Sequence, residues 1–434
     1  MEQKAKKVNS KFFLFMIPMF ILMLIGEYAY PCLSTDQFNC LMPYYMENFG
    51  WTAVALSNPV TMGRILGIPL TFLCGIAINK FGAKKIFTFS LLMYGVAEFM
   101  ITFAKTYWVY YVSFCILGII GTWILMSTFS LCNNWFRKWR GTALGLVTAI
   151  SPISSVTIIA YMTNGLKTMG FQWTYGIMAG VMVVAAILSV FLVKATPEEV
   201  GCFPDGAFQA PPVEVLADEK AVKKIGLKQI FRHKEGWLHP IVMGFLIFSI
   251  PVYSAFFTTR FTELGYTSTQ MMLFTAGFSI FGAVLSFISG ILDDKLGTHR
   301  ATVIMVGLFF LGTIGLRFGV PGQSWMMWFG IITLGGIVGA TPNLNPSHVV
   351  YTYGHKSFDQ VYKYLNTLVC IPASFSLTFV TALYQATGSY NLAYTIMIPI
   401  GGVLLICALL MNKKHDLTAE IESEEPSTEK PAEK

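Results

Sequence analysis

Long apolar segments separated by short polar connections dominate the chain, and this pattern limits what it can fold into. A helix that crosses a bilayer needs about 20 mostly apolar residues, at a rise of about 1.5 Å per residue. Twelve segments meet that requirement. They lie at approximately 12–32, 53–78, 86–104, 108–132, 141–164, 173–194, 238–261, 268–292, 301–319, 323–348, 360–386 and 391–411. The sequence therefore predicts an all-α membrane protein with twelve transmembrane helices.

The composition agrees with a chain that lipid covers. Hydrophobic residues make up 54% of the 434 residues and charged residues only 12%, with a mean hydropathy of +0.59. A soluble domain carries about 25% charged residues to cover its surface. The bilayer is therefore the expected partner.

The basic residues predict an orientation in the membrane. Most of the 30 Lys and Arg fall in the N-terminal stretch, the tail and alternate loops, as the positive-inside rule requires of cytoplasmic segments. The net charge of +7 is thus a topology signal, and we expect no nucleic-acid partner. We expect a multi-pass protein of the cell membrane with both termini in the cytoplasm. The predicted order is a cytoplasmic N-terminus (1–11), a six-helix bundle (12–194), a cytoplasmic linker (195–237), a second six-helix bundle (238–411) and a disordered cytoplasmic tail (412–434).

A short motif occurs twice, once in each predicted bundle. The first copy follows helix 2 and contains Gly75, Asn79, Lys80 and Gly82, with Lys84 and Lys85 beyond it. The second follows helix 8 and contains Gly290, Asp294, Lys295 and Gly297, with His299 and Arg300 beyond it. Matched spacing at the same helix pair indicates an internal repeat.

These two loops resemble the signature loop of the major facilitator superfamily, whose members are twelve-helix transporters built from two six-helix bundles. The resemblance implies that the motif residues latch the bundles together on the inner side and separate as the protein opens inward. Asn79 stands where the family usually has Asp, which implies either a weaker latch or one held by hydrogen bonds alone.

A finer resemblance is to the oxalate/formate antiporter and monocarboxylate transporter branch. It rests on the stretches 49–52, 135–146 and 197–206. The oxalate carriers place a basic residue in helix 8 and another in helix 11. Here helix 8 has none before Lys295, and helix 11 has only Lys363.

Three charged residues fall inside predicted helices. Arg64, Glu27 and Glu98 lie at similar depths, with Arg64 about 22 Å from Asn79 along helix 2. An intramembrane charge needs a partner or a polar cavity. One interpretation is that Arg64 binds a substrate carboxylate and that Glu27 or Glu98 couples transport to protons. The other is a structural ion pair.

Aromatic and amide residues complete the predicted site. Tyr28, Trp123 and Tyr253 are candidate substrate ligands at similar depth, although each is also consistent with packing. Asn343 and Asn345 lie between two prolines near the predicted end of helix 10, where they form an inner gate or a proline-shaped helix end.

The sequence thus favours alternating-access transport of a small organic anion, a mono- or dicarboxylate, coupled to protons or a counter-anion. The alternative is the same fold carrying a neutral or cationic solute or a drug, with Glu27 or Glu98 as ligand and coupling site. An enzyme is not expected, because the six histidines share no spacing pattern. We expect a monomer without metal or cofactor.

Overall fold

Twelve long helices build the fold in the part of the chain that the structure describes. The structure, a computed structural model, describes residues 10–31, 33, 37–207, 225–254, 256–355 and 357–411. The helices are α1 (Ser10–Pro31), α2 (Ala53–Phe81), α3 (Ala83–Thr102), α4 (Tyr107–Trp135), α5 (Arg140–Thr148 and Ile150–Thr168), α6 (Phe171–Leu192), α7 (Glu235–Ser254), α8 (Ser268–Leu296), α9 (Thr298–Phe318), α10 (Ser324–Tyr353), α11 (Phe358–Ser374 and Ser376–Thr387) and α12 (Asn391–Leu410). The predicted termini 1–9 and 412–434 and the centre of the linker, 208–224, lie outside the described residues.

These helices have the length and composition of membrane spans. Among the described residues, eleven are long and apolar enough to cross a bilayer. The remaining helix is α5, whose two segments meet at Ala149 in a right-handed helical conformation. Many large apolar side chains lie exposed on the outside, including Trp173, Phe191 and Met272. An exposed apolar exterior fits a lipid solvent. The chain is therefore an all-α, multi-pass membrane protein, as predicted.

The structure also contains helices that the hydropathy pattern did not predict. Short helices lie between spans, at Phe38–Phe49 and Leu227–Arg232. The span predicted at 238–261 is also divided, because α7 ends at Ser254 and a separate short helix follows at Phe257–Glu263. Helix α10 continues to Tyr353, past its predicted end at 348. Pro342 and Pro346 therefore lie well inside the helix and not at its end. A membrane helix tolerates proline where neighbouring groups or a cavity can satisfy the backbone groups that it frees.

The repeat seen in the sequence is also a structural repeat. Helices α2 and α8 are both 29 residues long and follow Thr52 and Thr267, whose φ angles are −74° and −73°. They end at Gly82 and Gly297, with φ of +87° and +84°. Only glycine adopts this backbone conformation readily. We call the end of the molecule that carries these two turns the motif end, and the opposite end the far end.

Two hydrophobic cores underlie the two sets of six helices. One core is built from α1–α6 and also includes the motif-end residues of α10 and the first turns of α11. The other is built from α7–α12. The two halves pack together at two contacts. One joins α5 to α8, and the other joins α2 to α11. This arrangement leaves a space between the halves around the middle of the helices.

Candidate functional site

A cavity of about 300 Å³ lies between the two halves. Residues of α1, α2, α4 and α5 line one side, and residues of α7, α10 and α11 line the other. Tyr30, Pro31 and Val60 lie toward the far end, whereas Phe129 and Asn345 lie toward the motif end. Both halves therefore contribute to one site, as alternating access requires.

Arg64 is the one charged side chain among the described residues that line this cavity. It lies on α2 and is half-buried. The walls around it are mostly apolar, with hydroxyls from Thr71 and Thr122, whose oxygens are 3.3 Å apart. A guanidinium with few competing charges in an apolar surround is suited to hold a carboxylate by two parallel hydrogen bonds.

Prolines also expose backbone carbonyls to the cavity. A proline inside a helix leaves the carbonyl four residues earlier without its usual donor. Pro342 does this to Val338 and Pro251 does it to Ile247, and all four residues line the cavity. Polar backbone groups therefore lie on the C-terminal half, opposite Arg64.

The amides of Asn345 and Asn366 form the polar part of the cavity floor. Asn345 Nδ2 donates to Asn366 Oδ1 at 2.9 Å and to the Tyr362 hydroxyl at 3.3 Å. Asn345 Oδ1 lies 2.9 Å from His239 Nε2 on α7. These side chains are almost fully buried. The floor is thus part of a hydrogen-bonded network that continues into the C-terminal half.

The three predicted aromatic ligands do not line this cavity. The Tyr28 hydroxyl bonds to Thr157 Oγ1 at 2.9 Å, and Trp123 Nε1 donates to the Leu70 carbonyl at 3.1 Å. Tyr253 packs edge-to-face on Tyr394, with ring centroids 4.9 Å apart. Their neighbours Tyr30, Thr122 and Pro251 line the cavity instead. Substrate binding by the three predicted aromatics stays a prediction.

The two predicted glutamates are buried beside the cavity, outside its lining. Glu98 accepts a hydrogen bond from Gln37 Nε2 at 2.5 Å, and Gln37 also donates to the Leu33 carbonyl. Glu27 is 1% exposed, and its Oε1 makes no hydrogen bond with the described residues. Glu98 therefore joins α3 to the segment that follows α1, while Glu27 lies in the core of the N-terminal half.

At the motif end, Asp294 of the second repeat contacts the opposite half. Its carboxylate accepts from the backbone N–H of Gly141 at 2.8 Å and of Thr142 at 2.7 Å, and from the Thr142 hydroxyl. These are the first residues of α5, where helix N–H groups have no partner within the helix. Asp205 accepts from three backbone N–H groups just before them. Two carboxylates, one from the C-terminal half and one from the linker after α6, therefore hold the start of α5 in place.

Asn79 of the first repeat makes the matching contact with α11. Its Nδ2 donates to the Asp359 carbonyl at 3.4 Å. Beside it, Gly75 packs so closely on Lys363 that a Cβ there would collide with this side chain. The basic motif residues Lys80, Lys295 and Arg300 are exposed at the surface of this end.

Close backbone packing joins α5 to α8 and α10. A Cβ on Gly290 would overlap the Gly141 carbonyl, and one on Gly145 would approach the Ser286 carbonyl to 2.8 Å. Asn343 is fully buried next to this contact and donates to Ser289 Oγ at 3.2 Å. The two predicted gate residues therefore have different positions. Asn343 lies at the contact between the halves, and Asn345 lies in the cavity floor.

A family comparison matches this arrangement. The model of the Major Facilitator Superfamily matches residues 16–377 and 262–433. The chain belongs to this superfamily. The protein is accordingly a membrane transporter and not an enzyme.

Solved structures of the superfamily share the fold. The chain is similar to the proton:xylose symporter XylE bound to 6-bromo-6-deoxy-D-glucose, with a TM-score of 0.72, 12% identity and coverage of 94% of this chain and 99% of that one. It is also similar to the transporter FucP in the outward conformation, with a TM-score of 0.67, 12% identity and coverage of 92% and 100%.

Similar curated proteins come from fungi. The Agnestins efflux protein AgnL12 of Paecilomyces divaricatus is 22% identical over 74% of this chain and 68% of its own length. The Fujikurins efflux protein of Gibberella fujikuroi is 26% identical over 32% of this chain and 30% of its own length. The chain spans less than a third of that second relative.

Of the polar cavity floor, the sequence pointed to Asn345 but not to Asn366 or the histidines beneath it. Asn366 lies in an amphipathic part of α11, and His239 and His348 are far apart in the chain. A polar residue at the centre of an apolar segment was the available signal, because such residues need a partner in the membrane.

Proposed function

We propose that this superfamily member transports a small organic anion across the cell membrane by alternating access. The substrate is a mono- or dicarboxylate, in keeping with the resemblance to the oxalate/formate and monocarboxylate branch. Protons or a counter-anion supply the driving force. The motif end faces the cytoplasm, together with both termini, as the Lys and Arg distribution indicates.

The position of Arg64 carries this proposal. Among the described residues that line the cavity, Arg64 is the one charged side chain, so its positive charge favours an anion. The cavity volume of about 300 Å³ lies at the lower end of the range for ligand pockets, which suits a small substrate. The guanidinium fork supplies two parallel hydrogen bonds to one carboxylate. Thr71, Thr122 and the amides of the floor supply further hydrogen bonds.

The transport step follows from the two ends of the molecule. The contacts of α5 with α8 and of α2 with α11 close the motif end. Opening toward the cytoplasm requires that these contacts separate while the halves approach each other at the far end. Asp294 would then lose its hydrogen bonds to α5, and Asn79 would lose its hydrogen bond to α11. Water would replace both sets of partners.

The test is uptake into proteoliposomes of radiolabelled acetate, lactate, pyruvate, succinate and oxalate, with xylose as a neutral comparison. Arg64→Gln and Arg64→Lys should weaken the affinity for the transported acid about 10- to 100-fold. Arg317→Gln is the matched control, because Arg317 bonds to Thr395 outside the cavity. Unchanged affinity in both Arg64 variants would contradict the proposal.

A second candidate is efflux of a larger or uncharged solute. The names of the fungal relatives favour it, since both are efflux proteins. The same proteoliposomes, loaded with a neutral lipophilic dye, separate the two functions. Dye export without uptake of any acid in the panel would favour efflux.

A further inference from the structure

Two buried histidines from different helices meet beneath the cavity floor. His239 of α7 and His348 of α10 are each 1% exposed. Their Nδ1 atoms are 3.4 Å apart, and their ring centroids are 5.3 Å apart. The function proposed above does not use this pair.

The pair is connected to the cavity through Asn345. His239 Nε2 lies 2.9 Å from Asn345 Oδ1. Asn345 and its hydrogen-bond partner Asn366 both line the cavity. A charge on His239 would therefore lie one hydrogen bond away from a bound substrate.

Hydrogen bonding assigns the protons on the two rings. Asn345 donates through Nδ2 to Asn366, so its Oδ1 accepts from His239 Nε2–H. A neutral His239 then has its lone pair on Nδ1. His348 Nδ1 lies 3.4 Å from this lone pair and 3.3 Å from the Thr352 hydroxyl. A proton on His348 Nδ1 avoids two facing lone pairs, and the Thr352 oxygen is then its second acceptor. This leaves a lone pair on His348 Nε2, a buried atom that makes no hydrogen bond with the described residues. That nitrogen is therefore a free base in the core of the C-terminal half.

We propose that the His239–His348 pair binds the proton that couples to transport. This inference rests on the proposed function and names its coupling ion. A proton adds to the lone pair of His348 Nε2. The Nδ1–H bond of His348 breaks, and that proton forms a new bond to His239 Nδ1. His348 ends neutral with its proton on Nε2, and His239 ends as an imidazolium that donates to Asn345. The net change is one proton and one positive charge, which adds to the attraction of Arg64 for an anion in the cavity.

The surrounding groups set how the pair titrates. His299 of α9 lies within electrostatic range of His348, and Arg140 of α5 donates to the carbonyl of the adjacent Ser347 at 3.4 Å. Glu235 is buried one turn before His239 on α7. The Tyr362 hydroxyl accepts a hydrogen bond from Asn345, the residue that also contacts His239. One imidazolium repels a second charge on the neighbouring ring, so the pair binds one proton and not two.

His299 also lines a surface cavity of about 670 Å³ at the motif end, together with Arg300 and Tyr351. His348 thus contacts His239, which bonds to the cavity floor, and it lies within electrostatic range of a histidine that borders this surface.

The direct test is histidine-selective ¹⁵N NMR of the full chain in lipid nanodiscs, which needs no substrate. As the pH is lowered from 8 to the lowest value at which the protein stays folded, the nitrogen signals of His239 and His348 should shift together in one step. His348→Gln should change the titration of His239, whereas His233→Gln, on the half-buried segment before α7, should not. Two rings that stay neutral throughout, or that titrate independently, would overturn the proposal.

Transport assays of the acid found in the uptake panel give the second test. His239→Gln and His348→Gln should each reduce accumulation driven by an imposed pH gradient about tenfold. Exchange of labelled for unlabelled acid, which needs no net proton movement, should persist. Because the two rings act as a unit, the double variant should resemble either single one. Loss of pH-driven accumulation only in Glu27→Gln or Glu98→Gln would place the coupling proton on a glutamate instead. If no acid is transported, the proposed function fails while the NMR result still decides proton binding.

Discussion

Asn79 and Asp294 occupy the same position in the two repeats, yet they contact the opposite half with reversed hydrogen-bonding roles. Asp294 accepts from the start of α5, whereas Asn79 donates to the backbone of Asp359 at the start of α11. The reason lies in the partner helix. Helix α11 has Asp359 in its first turn, and α5 has no acidic residue there. A carboxylate at position 79 has no hydrogen to donate to the Asp359 carbonyl and would add a second negative charge to this contact, so the amide suits it.

The first prediction follows from this pairing. Asn79→Asp should weaken the closed motif end, because it sets a second carboxylate near Asp359. A cysteine placed at the α2–α11 contact should then react faster with a water-soluble thiol reagent. Asn79→Asp combined with Asp359→Asn should slow the labelling only in part, because the second change removes the charge repulsion but not the loss of the donor to the residue 359 carbonyl. Equal rates in all three variants would show that the residue 79 contact does not hold this end closed.

The second prediction concerns the glycine contact between α5 and α8. Gly290→Ala should destabilise the closed state by about 1–3 kcal/mol, because its Cβ would overlap the Gly141 carbonyl. The thermal unfolding midpoint in detergent and the labelling of the motif end measure this effect. Gly180→Ala is the matched control in α6, since a Cβ there meets nothing within 4 Å. Similar behaviour of the two variants would contradict close packing at this contact.

The third prediction concerns the structural role of Glu98. Glu98→Ala should lower stability by about 1–3 kcal/mol, because the fully buried Gln37 amide would lose a partner. Glu98→Gln should cost less, since an amide oxygen still accepts from Gln37. Thermal unfolding of the purified variants measures both. A larger loss in Glu98→Gln than in Glu98→Ala would exclude this explanation.

The fourth prediction uses a natural cysteine of the cavity wall. Cys370 is half-buried and lines the cavity, whereas Cys74 is fully buried. A small charged methanethiosulfonate should therefore modify Cys370 and block uptake, because the added group occupies part of a cavity of about 300 Å³. Cys370→Ser should make transport resistant, and Cys74→Ser should not. Inhibition that persists in Cys370→Ser would show that another thiol is responsible.

Some features of this fold depend on each helix separately, and others depend on how the helices pack together. Hydropathy located the spans because a bilayer imposes length and apolarity on each helix separately. The motif spacing gave the repeat because a glycine with positive φ is a local requirement at both turns. Helix α10 ran past its predicted end because burial among neighbouring helices outweighs two prolines.

The sequence by itself determined the all-helical membrane fold, its internal repeat and the presence of an arginine at mid-depth. Only the tertiary structure decided which way each side chain faces. It placed Arg64 on the cavity wall and Trp123 and Tyr253 away from it. It also joined His239 to His348 across 109 residues of chain. The physical reason is that depth in the membrane follows from position along a helix, whereas contact between helices depends on how each helix is rotated and packed.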